Sequence, residues 1–195
     1  MVTIHNTPQK SEEWLAERVG KFTGSNAIKL LKYGRTNKAK VEANPSFTGN
    51  YWTKRGQDLE PFAIAAYEMV KDVKVERPGF ITNDDYPECL FSPDGIVGKT
   101  LIEVKCFGEK KHTAVNRRNI PDEILAQVHF GMIIAELNEA HLVLFSDEVD
   151  ERHGLKIIPI RKDKKLEARL KNLMEGKNVT REKSNRGRVL QDTTA

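Results

Sequence analysis

The chain has 195 residues, 38% hydrophobic and 31% charged, which suffices for one substantial core and includes no stretch that resembles a membrane span. Its two cysteines, Cys89 and Cys106, are too few for a disulfide scaffold and do not form a zinc-type pair, so both read as buried free thiols. The net charge of +4 is uneven: residues 176–195 carry five basic and two acidic side chains, leaving residues 1–175 nearly neutral. The reading is therefore a single domain over 1–175 and a basic, flexible tail over 176–195. Met1 to Lys10 is polar and offers neither a secretory signal nor a membrane span, which points to the cytoplasm.

In chain order, Ser11 before Glu12-Glu13 predicts an N-capped helix ended by Gly20, with Trp14, Leu15 and Val19 on its buried side. Arg18, one turn after Trp14, is either a surface cation or an anion-binding group. Thr23-Gly24-Ser25 opens a second helix whose apolar set is Ala27, Ile28, Leu30 and Leu31. Ser25 is its expected N-cap, at a helix end suited to phosphate. Residues 33–50, with Gly34, Pro45 and Gly49 among basic residues, predict a mobile loop. A third helix from about Tyr51 to Val70 places Leu59, Phe62, Ala63, Ala66 and Tyr67 on one face, with Pro61 as a kink or restart. Glu60, just before that proline, is a helix-start acid or a group turned into a site.

Residues 73–82 and 89–97 predict strands around the turn Asn83 to Pro87, and Leu101 to Cys106 a third. Gly108 to Asn119 holds Lys110, Lys111, Arg117 and Arg118 and predicts a solvated loop. Pro121 opens a helix to about Glu136 that is apolar enough to be buried, so Gln127 within it is an amide in need of partners. His129 is expected on the surface of that helix, because no second histidine stands at metal-binding spacing. Strands over 140–145 and 155–160 and a helix over 166–174 complete an α/β arrangement with a mixed central sheet flanked by helices.

The alternation in Leu101 to Cys106 puts Glu103 and Lys105 on one strand face while Ile102 and Val104 enter the core. Asp94 sits in the Pro93-Asp94-Gly95 turn, and a hairpin at Gly98-Lys99-Thr100 would fold it back beside Glu103. Two carboxylates and an ammonium at one point suit Mg²⁺, or Mn²⁺ in its place, and a lysine that orients an attacking water: metal-dependent phosphodiester hydrolysis. The competing reading is a solvated Glu–Lys ion pair on an exposed strand face, and spacing alone leaves both open.

Several elements, in order and approximate spacing, together resemble the lambda-type viral (phage) exonuclease family of restriction-endonuclease-like nucleases. They are Trp14-Leu15-Ala16-Glu17-Arg18-Val19-Gly20, Thr23-Gly24-Ser25, Gly56 to Glu60, Ser92-Pro93-Asp94-Gly95, Glu103-Val104-Lys105-Cys106 and Ala126-Gln127-Val128. The resemblance spans Ser11 to about Leu144; it departs at Phe107, where a proline is expected, and at Ile124-Leu125, where a tyrosine is expected. It implies a restriction-endonuclease-like core in which Asp94, Glu103 and the Val104 backbone carbonyl bind catalytic Mg²⁺. Glu60 would complete the acidic cluster, Lys105 would activate water and Gln127 would support them. Arg18, Ser25 and Ser92 would hold a terminal 5′ phosphate.

It further implies a 5′ to 3′ exonuclease that degrades one strand of linear double-stranded DNA. The enzyme would form a ring-shaped trimer and work with a single-strand annealing protein in phage recombination, in the host cytoplasm. The alternatives are a sequence-specific endonuclease of the same fold and a non-catalytic DNA end-binding clamp.

Overall fold

The structure is a computed structural model that describes residues 1–42 and 51–176. Most of the basic tail and the second half of the expected 33–50 loop lie outside the described residues. In chain order the elements are β1 (Val2–His5), α1 (Glu12–Arg18), β2 (Phe22–Thr23), α2 (Ala27–Tyr33), α3 (Tyr51–Lys71), β3 (Phe80–Asn83), β4 (Cys89–Leu90), β5 (Gly95–Val97) and β6 (Thr100–Cys106). They are followed by α4 (Glu109–Ala114), α5 (Asp122–Ile134), β7 (Glu139–Phe145), α6 (Glu151–Gly154), β8 (Leu155–Arg161) and α7 (Lys164–Met174).

A mixed four-stranded sheet runs β5-β6-β7-β8, antiparallel at both ends and parallel at β6–β7. The hairpin that opens it pairs Val97 with Thr100 across Gly98, whose φ of +57° is easily reached only without a Cβ. The parallel pair needs a crossover, and α5 supplies it. Two short ladders flank this sheet: β1 antiparallel to β3, and β2 parallel to β4.

Both faces of the central sheet are covered. Leu101, Leu142 and Leu144 pack in one core with α5, α2 and α7, while Ile102, Val104 and Val143 meet Ala63, Ile64 and Tyr67 of α3. Of the two readings the sequence leaves open for Glu103, the solvated surface pair does not hold: the side chain is fully buried, on the face against α5.

Other expectations change for equally local reasons. Helix α1 buries none of its residues, and Leu15 is 53% exposed. In α3 the buried face is shifted to Ala63, Ile64 and Tyr67, leaving Phe62 64% exposed. Pro61 neither stops nor restarts that helix. The expected 73–82 strand shrinks to β3, joined to the sheet upstream only by a Glu76–Ile96 bridge among the described residues. Pro78, which has no N–H to give to a ladder, precedes it. The expected 89–97 strand divides into β4 and β5 around Ser92-Pro93-Asp94, for the same reason.

The 108–119 loop contains α4, whose His112 is buried. His129 is not on the surface: it is 2% exposed, with Nδ1 2.8 Å from the Leu125 carbonyl and Nε2 accepting from the Asp163 N–H at 3.0 Å. Helix α7 covers that side of α5. Strand β1 has no counterpart in the expectations, since its Val2 and Ile4 alternate over too few residues to signal a strand.

One close approach fixes the layout around the site. Phe91, 1% exposed, lies between Gly24 and Gly131: a Cβ on either would come within 2.6 Å and 2.4 Å of its ring. The turn before α2 and the middle of α5 therefore both close directly on the Phe91 ring, in the segment entering Ser92.

Candidate active site

Strand β6 continues past the end of β5, whose first residue, Gly95, pairs with Ile102. The next free backbone on that edge belongs to Val104, and the Asp94 carboxylate takes its place: Oδ2 accepts from the Val104 N–H at 2.7 Å. A strand residue's N–H and C=O face the same neighbour, so the Val104 carbonyl lies along the same edge. From the adjacent position, Glu103 Oε1 accepts from Lys105 Nζ at 2.6 Å and from Gln127 Nε2 at 2.6 Å. Its Oε2 is buried with no partner among the described residues. The sequence-predicted Asp94, Glu103, Lys105 and Gln127 are thus gathered at one end of the sheet.

Burial dominates the electrostatics. It pushes the Glu103 carboxyl up to about 7, against Lys105 and with Asp94, and it raises Asp94 despite Lys105 and the Val104 hydrogen bond. Burial works against the Lys105 ammonium too, yet Glu103 and Asp94 outweigh it and hold its pKa above the ordinary lysine value. Glu60 on α3 borders the same cleft, and its carboxyl is raised first by burial and then by Asp94. Its Oε1 is ion-paired with Arg77, so Glu60 belongs to the site's field but has a partner already. Sequence reading had placed Arg77 within a strand and assigned it nothing.

The donor set fits a small hard dication. An unpartnered buried carboxylate oxygen, a second carboxylate and a backbone carbonyl match magnesium, which usually takes one or two carboxylates and keeps several waters. Among the described residues no three His, Cys, Asp or Glu side chains form a ready-made cage, so the site does not resemble a closed structural metal centre. These groups open into a cleft of about 990 Å³ whose far wall includes Trp52, Phe107 and Lys111. Lys111 Nζ lies 4.4 Å from the centre of the Phe107 ring, the residue that departs from the family pattern.

A second cluster adjoins it, since Ser92 is two residues from Asp94, at most about 7 Å along the chain. Arg18 donates from Nη1 to Ser92 Oγ at 3.0 Å and from Nη2 to Ser25 Oγ at 3.3 Å. Ser25 is not the N-cap expected of it: it sits inside a 3₁₀ turn, Gly24–Asn26, and its hydroxyl meets Arg18 and, at 3.0 Å, the buried Thr23 Oγ1. The Arg18 guanidinium lies 4.2 Å from the centre of the Trp14 ring, and burial lowers its pKa to about 10, so it stays cationic at neutral pH. The Trp14 indole N–H is donated to the Gly79 carbonyl and Ser92 Oγ, each at 3.0 Å. Sequence reading treated Trp14 as an apolar residue. The signal was its i, i+4 spacing to Arg18, which puts both on one helix face.

The YqaJ-like viral recombinase domain model matches residues 13–138. Among solved structures, LHK-Exo in complex with dAMP superposes with a TM-score of 0.73 at 23% identity, over 85% of this chain and 90% of that one. An alkaline exonuclease (LHK-Exo) from Laribacter hongkongensis gives 0.72 at 24% identity over the same shares. A phage related exonuclease from Haemophilus somnus 129PT gives 0.59 at 15% identity, over 84% of this chain and 94% of that one. No curated protein matches the sequence. At these identities the superpositions establish the fold, a mixed sheet between helical layers of the restriction-endonuclease-like kind. The family match covers well over half of the sequence and both residue clusters, and the chain belongs to the YqaJ-like viral recombinase domain family.

Proposed function

We propose that this protein is a Mg²⁺-dependent deoxyribonuclease, a 5′ to 3′ exonuclease that degrades one strand of linear double-stranded DNA from its end. The observation that carries this reading is the fully buried Glu103, with one oxygen held by Lys105 and Gln127 and the other without a partner among the described residues. A buried carboxylate oxygen without a donor costs about 1–3 kcal/mol, a penalty a bound cation would remove. Asp94, Glu103 and the Val104 carbonyl would hold Mg²⁺, with Mn²⁺ as a substitute, and Glu60 would contribute through the shared field. Once bound, such an ion supplies Lewis-acid polarisation of the scissile phosphodiester.

The chain's own groups do the rest. Lys105, kept protonated by two carboxylates, orients the attacking water and offsets charge on the phosphorus oxygens. Gln127 fixes the Glu103 carboxylate from α5. Arg18, Ser25 and Ser92 bring one charged fork and two hydroxyls to a single point, a set suited to a terminal phosphate monoester and less to an internal diester. That preference separates an end-directed enzyme from an endonuclease of the same fold. By the resemblance to lambda-type exonucleases, the reading extends to a ring-shaped homotrimer and a single-strand annealing partner in phage recombination, within the host cytoplasm. No helix among the described residues is long and apolar enough to cross a membrane.

The test is digestion of 5′-end-labelled linear duplex and of covalently closed circular duplex, with and without Mg²⁺. Release of label from the linear form alone, and only with the ion, supports the reading. Cutting of the circle would replace it with an endonuclease, and intact linear DNA with an end-binding clamp.

A further inference from the structure

The Ser92 hydroxyl is not free to orient as it likes. Its oxygen has two lone pairs, and two N–H donors already reach it, Trp14 Nε1 and Arg18 Nη1, each at 3.0 Å. With both acceptor positions taken, its O–H has to serve as a donor, and no acceptor for it occurs among the described residues. The same indole N–H is shared with the Gly79 carbonyl at 3.0 Å.

We infer that Trp14 is a positioning residue for terminal phosphate recognition: its indole N–H forces Ser92 to present a donor, so that the pocket faces an anion with donors only. The inference rests on the reading of Arg18, Ser25 and Ser92 as a phosphate pocket and adds the device that sets its polarity. The ligand class is a phosphate monoester on a DNA 5′ end. A hydroxyl end, which must also donate its own proton, would meet a pocket with no acceptor to offer. Without the indole N–H, one lone pair of Ser92 is left open, and the hydroxyl is no longer held as a donor toward the phosphate.

Trp14→Phe removes the N–H and keeps an aromatic ring under Arg18. The measurement is kcat/KM on linear duplexes that differ only in a 5′ phosphate or a 5′ hydroxyl. The preference for phosphate should fall about ten- to hundredfold, the size of one hydrogen bond to a charged group. Ser92→Ala should lower the same ratio in the natural background and have no further effect in the Trp14→Phe background, because the hydroxyl it deletes is already misdirected. Independent, multiplying losses would overturn the inference, as would an unchanged ratio in Trp14→Phe alone.

If Arg18→Ala and Ser92→Ala also leave the ratio unmoved, the pocket itself is wrong and not only the part given to Trp14. Should Trp14→Phe fail to fold, Trp52→Phe leaves Trp14 as the sole tryptophan. Its emission should then shift on adding a 5′-phosphorylated oligonucleotide without divalent cation, and not on adding the 5′-hydroxyl form. Identical responses to the two would refute the role.

Discussion

Gly131→Ala tests the packing that brings the two clusters together. A Cβ at position 131 would lie 2.4, 2.6 and 2.8 Å from Cζ, Cε1 and Cε2 of Phe91, where relaxed carbon contacts are about 3.5–4.0 Å. The ring would have to retreat by about 1 Å. It has nowhere to go, because on its other side an ideal Cβ at Gly24 would already fall 2.6 Å from Cδ2 and Cε2. Overpacking of this kind costs about 1–3 kcal/mol, and closure from both sides puts this case in the upper part of that range.

Replacing glycine by alanine inside a helix returns about 1 kcal/mol of propensity. The net expectation is a loss of about 1–2 kcal/mol, a drop of about 2–8 °C in Tm for a domain of this size. Phe91 immediately precedes Ser92, so the preference for 5′-phosphorylated ends should fall with the Tm. Thermal unfolding followed by circular dichroism gives the first number and the end-preference assay the second. A Tm equal to or above that of the natural protein would mean that the ring moves freely and that helix propensity decides the outcome, which would refute the packing argument.

Lys105→Ala should lower kcat on linear duplex by about a hundredfold or more while Mg²⁺ binding, read by calorimetry, persists; near-normal turnover would remove the water-orienting role. Mg²⁺ should raise the Tm of the metal-free protein, because it binds only the folded arrangement of Asp94 and Glu103, by the usual RT ln(1 + [L]/Kd). An equal rise in Asp94→Asn would show the ion binding elsewhere. His112 predicts a pH effect remote from the cleft. Its Nε2 lies 2.9 Å from the His153 carbonyl, its Nδ1 is buried without a partner among the described residues, and burial holds its pKa below 6.5. The unfolded chain therefore takes up a proton at a higher pH than the folded one. The stability contribution is full above about pH 6.5 and declines as the pH falls toward the folded value. Urea midpoints at pH 7.5 and 5.5 should differ less in His112→Gln than in the natural protein, with His141, also lowered by burial, keeping part of the difference; an unchanged difference would exclude His112.

Much of the α/β order was legible because it rests on patterns of one strand or one helix at a time. The hairpin at Gly98, the N-cap at Ser11 and the apolar run of α5 each declare themselves locally, and the structure keeps all three. What stayed hidden depends on what lies across a gap. Alternation in β6 gives the same pattern whether the Glu103 face meets water or α5, and only Gln127, an amide inside an apolar helix, hinted that a polar group waited opposite. His129 was misplaced because nothing in α5 announces the arrival of α7. Apolar patterning counts Trp14 as a core residue and is blind to its one polar atom, which does the organising.

The same contrast explains the site. A buried Glu–Lys pair is poor evidence of stability by itself, since desolvation rivals the attraction. Here the neighbours leave the compensation incomplete: Lys105 and Gln127 crowd one oxygen of Glu103 and nothing among the described residues reaches the other. A solvated surface pair would have no reason to be enclosed, and a purely structural pair would be closed on all sides. An enclosed carboxylate in the lining of a cleft, with one oxygen unpartnered among the described residues, is the arrangement that the proposed Mg²⁺ would complete.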